Sequence, residues 1–178
     1  MAMATKATIY KANINIANMD THYYAEHSLT LAQHPSENNL RLMVRLLAFI
    51  LNAKEELVFC KGIDQDDEPD LWKKSLGGDI ELWIDLGQPD EKRIKKACGR
   101  SKEVIIYTYQ KGMAMAWFTQ NKKLFNRLNN LKIIYLNIDG DIEQLCNRSM
   151  SLQVNISDGE LNLIDDERTV SCVADIWK

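Results

Sequence analysis

Proline and glycine are scarce, three and eight residues in a chain of 178. That scarcity excludes collagen-like, proline-rich and glycine-linker chains. Cys60, Cys98, Cys146 and Cys172 are widely spaced, with no CxxC and no histidine pair beside them. The pattern argues against a zinc knuckle, a thioredoxin-like redox site and a secreted disulfide framework, and leaves free thiols in a reducing compartment as the expectation. Long apolar runs are missing too. The longest, Leu40 to Leu51, contains Arg41 and Arg45 and falls short of the ~20 residues of a membrane-spanning helix, and no secretory leader opens the sequence. A cytoplasmic protein with no membrane contact is expected. There is no excess of positive charge: 22 basic residues face 25 acidic ones, a net charge of −3, which disfavours coating nucleic acid through overall charge.

What is present, 46% hydrophobic and 26% charged residues, is the profile of one globular domain over residues 1–178. A chain of this length buries roughly 70% of its unfolded surface and needs no disulfide or structural metal to do so. A monomer is expected.

From Lys6 to Ile16 the residues alternate, with Tyr10, Ala12, Ile14 and Ile16 on one face, so a half-buried strand is predicted. His22 to Ala32 reads as its antiparallel partner. Ser36 is a candidate cap for a helix over Glu37 to Asn52 that is apolar nearly all round, as expected of a helix packed between layers. On its narrow polar stripe Glu37, Arg41 and Arg45 stand four apart, placed to pair with one another or to face a cleft.

A short strand near Glu56 to Cys60 precedes an acidic loop, Asp64 to Asp70. Asp79 to Gly87 then alternates, placing Ile80, Leu82, Ile84 and Leu86 on one face and Asp79, Glu81, Trp83 and Asp85 on the other. Helices near Pro89 to Cys98 and Ala114 to Leu128, strands at Glu103 to Tyr109 and Lys132 to Ile138, and a short helix from Ile142 follow. The alternation predicts a partly parallel sheet with crossover helices. The tail, turning at Asp158-Gly159 and at Asp165 to Glu167, predicts an antiparallel three-stranded meander beside that α/β body.

Pro69-Asp70 in the acidic loop, followed by a strand bearing Glu81 and Asp85, supplies the hard oxygen ligands that Mg2+ or Mn2+ requires. A metal held there would polarise a phosphodiester and offset charge on the leaving oxygen. The helix after Gly87 brings Lys92, Arg93, Lys95, Lys96 and Arg100, and some of these must face the strand just completed.

Several strings carry a specific resemblance: Thr8-Ile9-Tyr10-Lys11-Ala12, His22-Tyr23-Tyr24, His34-Pro35-Ser36-Glu37, Arg45 to Phe49, Asp67-Glu68-Pro69-Asp70-Leu71-Trp72, Gly87 to Arg93 and Lys96 to Gly99. Over essentially its whole length the chain resembles the YaeQ family of bacterial proteins. The resemblance implies an α/β (α+β) fold, a mixed sheet with flanking helices on a restriction-endonuclease-like core of the PD-(D/E)xK type, with an additional β-rich part. It also implies a Mg2+ or Mn2+ site but no settled substrate, nucleic acid being the candidate partner. Asp70 matches the aspartate of the nuclease motif and Glu81 the acid on the next strand, with Asp85 a further metal ligand. Trp83 stands where the motif has a lysine, so either Lys92, Lys95 or Lys96 replaces it or hydrolysis has been lost. Gln88 is a candidate to hold water or phosphate, and Glu37 a candidate to enter the same cleft. The implied function is metal-dependent phosphodiester hydrolysis; the alternative is a non-catalytic module that binds protein or nucleic acid.

Each residue also has a plainer role. Asp70 suits an Asx turn, the carboxylate face suits a solvated strand, and the basic helix suits surface pairing with Asp90 and Glu91. Met113 and Met115, with Trp117 and Phe118, read as core filling, and the three histidines as packed or surface residues.

Overall fold

The structure, a computed structural model, describes residues 6–178. In chain order the elements are β1 (Thr8–Asn18), β2 (Tyr23–Gln33), α1 (Asn39–Leu51), β3 (Leu57–Phe59), β4 (Leu71–Lys74), β5 (Ile80–Leu86), α2 (Glu91–Arg100) and β6 (Ser101–Thr108). They continue with α3 (Lys111–Phe125), β7 (Leu131–Asp139), a 3-10 turn (Ile142–Leu145), β8 (Ser149–Ser157), β9 (Glu160–Ile164) and β10 (Thr169–Ile176). This is a mixed α+β architecture. Among the described residues no helix is long and apolar enough to cross a membrane. The chain falls into two compact units, one running to Leu46 and taking back Asn137–Ala174, the other Leu47–Leu136 with Asp175–Lys178. No linker composition marks the division, because each unit is built from separate stretches of chain.

In the first unit β1 and β2 pair antiparallel without interruption from Thr8↔Gln33 to Asn18↔Tyr23. Tyr10, Ala12, Ile14 and Ile16 are buried, as their alternation predicts. The tail forms the expected antiparallel meander of β8, β9 and β10. One pairing of it was not foreseen: β8 runs parallel to β1, so the meander extends the N-terminal hairpin. The second edge of β1 was open, and Ile14↔Leu152 and Ile16↔Val154 join in register on one buried face. The helix cap also differs. α1 begins at Asn39, and Asn38 accepts from the Arg41 N–H at 2.8 Å, while the Ser36 hydroxyl is taken by His34 Nδ1 at 2.6 Å. Every residue from Leu42 to Ile50 is buried.

In the second unit β3, β4 and β5 are antiparallel and β5, β6 and β7 parallel, with α2 and α3 as the crossovers. Ile80, Trp83, Ile94, Ala97, Val104, Ile106, Trp117, Phe125, Leu131 and Ile133 form its core. Ile80 and Trp83 both belong to this cluster, which strict alternation along β5 forbids. A β-bulge explains it: Lys73 pairs with Leu82 and Lys74 with Ile80, so Glu81 is the extra residue and the strand's faces exchange there. Met113 and Met115, expected in the core, are exposed on α3 (60% and 52%), because Ala114 and Trp117 supply the inward face of that helix.

Candidate active site

The acidic groups gather where β4 starts and β5 ends. Asp70 donates its N–H to the Ile84 carbonyl at 3.0 Å, and its Oδ2 accepts from the Leu86 N–H at 3.2 Å. Asp70 is therefore tied to the residues on either side of Asp85. Both acids are buried, at 3% and 2% exposure. The backbone of Gly62 approaches the Asp70 carboxylate so closely that a Cβ there would overlap it, and its φ of +54° is one that glycine adopts without strain. Any side chain at position 62 would displace the acid.

A buried carboxylate needs a compensating partner. For Asp85 that partner is Arg93: Nε lies 2.9 Å from Oδ2 and Nη2 2.9 Å from Oδ1, a two-pronged hydrogen-bonded ion pair. The geometry follows from local sequence. β5 ends at Leu86, Gly87 turns the chain with φ +85°, and Asp90 caps α2 by accepting from the Arg93 N–H at 2.8 Å. Arg93 is thereby set one turn into the helix, beside the strand end. Burial pulls its pKa down, but the hydrogen bonds and charge of Asp85, with Asp70 and Asp66 adding their fields, hold it above its ordinary value. The guanidiniums of Arg93 and Arg100 stand 5.9 and 5.6 Å from the centre of the Trp83 ring, so that buried indole is also a platform for two cations.

The expected face of three carboxylates is not formed. Asp79 is exposed, Trp83 fully buried, and Glu81 pairs with Lys73 at 3.0 Å, which lowers its pKa. The bulge takes Glu81 out of the strand's alternation, and Asp85 is the β5 acid whose neighbours Asp70 touches. The helix lysines also separate. Lys95 pairs with Glu91 at 2.5 Å on the exposed side, Lys92 is exposed, and Lys96 reaches Asp67 of the acidic loop at 2.5 Å. Gln88 donates to the buried Thr108 hydroxyl at 2.9 Å, which fixes it at the end of β6. Glu37 lies in the first unit, where Arg41 holds it at 2.6 Å and Arg45 at 2.8 Å. The pairing expected of that trio is formed, with Glu37 two residues ahead of the helix.

Arg93 is the residue that reading the sequence for lysines passed over. The signal was there, an arginine one turn into the helix that follows the acidic strand.

Magnesium and manganese accept one or two carboxylates, with water or substrate phosphate completing the shell. Among the described residues no group of three or more His, Cys, Asp or Glu is placed to hold a metal. Of the two buried carboxylates, Asp85 has both oxygens on Arg93, and Asp70 has Oδ2 on the Leu86 N–H.

Fold and site together define a mixed α+β protein with a buried aspartate pair, governed by an arginine, at the junction of an antiparallel strand pair and a parallel crossover. A family model described as YaeQ protein matches residues 3–174. A protein of Escherichia coli (strain K12) named uncharacterized protein YaeQ is 42% identical over 99% of this chain and 98% of its own length. The crystal structure of the YaeQ protein from Xanthomonas axonopodis pv. citri superposes with a TM-score of 0.91 at 44% identity, covering 97% of this chain and 99% of that one. That of the YaeQ protein from Pseudomonas syringae gives 0.89 at 30% identity, covering 97% and 96%. The chain belongs to the YaeQ family.

Proposed function

We propose that the chain is a divalent-metal-dependent phosphodiester hydrolase acting on nucleic acid, built on a variant of the PD-(D/E)xK nuclease core. The observation that supports this reading is that Asp70, a buried carboxylate, bonds the backbone on either side of a second buried carboxylate, Asp85. Asp70 and Asp85 would hold the ion; Mg2+ or Mn2+ bound there supplies Lewis-acid polarisation of a phosphate oxygen. With Trp83 at the motif lysine's position on β5, Arg93 of α2 is the cation beside Asp85. Its guanidinium orients Asp85, and the donors it gives to the Gln65 and Glu68 carbonyls would serve a phosphate that displaced them. Gln88, anchored on Thr108, offers its amide oxygen to orient a water molecule.

The test is incubation of the purified protein with linear double-stranded DNA, single-stranded DNA and RNA, with Mn2+ and with EDTA. Cleavage that needs the metal and disappears in Asp70→Asn and Asp85→Asn is expected.

A second reading, a binding module without catalysis, is favoured by Arg93 itself, which already occupies both oxygens of Asp85 as a metal would. Binding of nucleic acid unaffected by EDTA, with no cleavage of any of the three substrates, would establish it in place of the first.

A further inference from the structure

We propose that the flank of α2 carrying Arg93, Lys96 and Arg100 is a polyphosphate-binding surface, and that the chain's own acidic loop, Asp64 to Glu68, occupies it as a stand-in ligand. Loop and polyanion then compete for the same cations. The inference rests on the reading of Asp70 and Asp85 as the working centre, and adds how that centre is closed.

The three cations are spaced three and four residues apart, so they form one stripe along the helix. All three hold the loop. Arg93 Nη1 donates to the Gln65 carbonyl at 3.0 Å and Nη2 to the Glu68 carbonyl at 2.9 Å. Lys96 Nζ meets Asp67 Oδ1 at 2.5 Å, and Arg100 Nη1 donates to the Asp67 carbonyl at 3.0 Å. The loop thus presents a row of oxygen acceptors to a row of fixed donors, as a chain of phosphates does. Lys92 and Lys95 take no part in these contacts, and Lys95 is engaged by Glu91.

The loop is poorly suited to hold this place against a stronger anion. Four of its five residues are acidic, Asp64, Gln65, Asp66 and Asp67 are exposed, and the Asp67 side chain is 79% accessible. Its ion pairs, Asp67 with Lys96 and Arg100, are exposed and of the kind that salt screens and that contribute little singly. Segments held in this way open locally at small free-energy cost. Arg93 links the two events. It gives two bonds to Asp85 and two to the loop, so departure of the loop frees donors for phosphate while Asp85 still orients the guanidinium. At 3% and 2% exposure, Asp70 and Asp85 become accessible to an ion only when what covers them moves.

The test uses the full chain in EDTA, with inorganic tripolyphosphate as probe at constant ionic strength. Binding is read by calorimetry and loop opening by hydrogen exchange of the amides from 63 to 68. Saturating tripolyphosphate is expected to raise exchange there tenfold or more. Asp67→Asn, which removes the exposed ion pairs with Lys96 and Arg100 and leaves the cations in place, should bind about threefold tighter. Lys96→Gln with Arg100→Gln should bind at least tenfold weaker, and Lys95→Gln as the wild type does. Binding with no change in loop exchange overturns the proposal, as does no binding by wild type and Asp67→Asn alike, or equal weakening by Lys95→Gln. Because no metal is present, failure of this competition and failure of the metal site are separate results.

Discussion

Arg93 holds both carboxylate oxygens of Asp85 at 2.9 Å, and with its remaining donors takes the carbonyls of Gln65 and Glu68. One side chain thus neutralises a buried acid and pins the loop that precedes the other buried acid, Asp70. Removing it should be felt in stability before any chemistry is measured. Arg93→Ala leaves Asp85 buried without its guanidinium, and a loss of about 3 kcal/mol is expected from urea unfolding. Arg93→Lys, which keeps the charge but not the fork, should lose less. A loss below about 1 kcal/mol for the alanine variant would mean that Asp85 is compensated elsewhere.

The resemblance to the nuclease motif would put a lysine at Trp83, and a lysine placed there should not raise activity. Trp83 is fully buried beneath α2 and α3, where an ammonium would lose its hydration and leave a void. Trp83→Lys is expected to destabilise the fold by about 4 kcal/mol, from lost packing together with burial of charge. The check is a melting curve of the variant beside wild type. A stable variant with raised phosphodiesterase activity would return the catalytic role to this strand position.

Much of the fold was legible because its strands and helices differ in period. β1 shows a clean two-residue alternation, and α1 is apolar all round over more than two turns. β4 was missed, since four residues, Leu71–Lys74, give too short a pattern to register between an acidic loop and a Gly-Gly turn. The site was half legible. Asp70 and Asp85 stand among the residues that sequence singles out; Glu81 was matched to the motif acid by resemblance, on a face that unbroken alternation would have it share with Asp85. A bulge carries no local sequence signature strong enough to correct that, because it depends on how Lys73 and Lys74 pair across the sheet. The docking of β8 on β1 was hidden for a similar reason, being a contact between segments more than a hundred residues apart.

The thiols near the site should be unreactive. Burial, followed by the charges of Glu68 and Asp70, pushes Cys60 up to about 12, and burial pushes Cys98 up to about 11. At pH 8 only about one Cys60 in ten thousand is then the nucleophilic thiolate. Alkylation of both by iodoacetamide, followed by mass spectrometry, should be at least a hundredfold slower than in guanidinium, and should keep accelerating as pH rises to 10. Reaction of native Cys60 within tenfold of the unfolded rate would contradict this environment.

Glu81 distinguishes a site centred on Asp70 and Asp85 from one centred on the middle of β5. Its carboxylate is engaged by Lys73 at the strand bulge, away from the segment Ile84–Leu86 that Asp70 grips. Nucleic-acid cleavage, if assayed across the three variants, should therefore fall to background in Asp70→Asn and Asp85→Asn and stay within a factor of two of wild type in Glu81→Gln.

The central claim is that Asp70 and Asp85 together bind one divalent ion. The most direct measurement is calorimetric titration of Mn2+ into wild type, Asp70→Asn, Asp85→Asn and Glu81→Gln, repeated in the Asp67→Asn background where the loop is loosened. One site is predicted in wild type, tighter with Asp67→Asn, retained with Glu81→Gln and lost in each of the other two. Absence of binding in both backgrounds, or binding that survives Asp70→Asn and Asp85→Asn, would contradict the account.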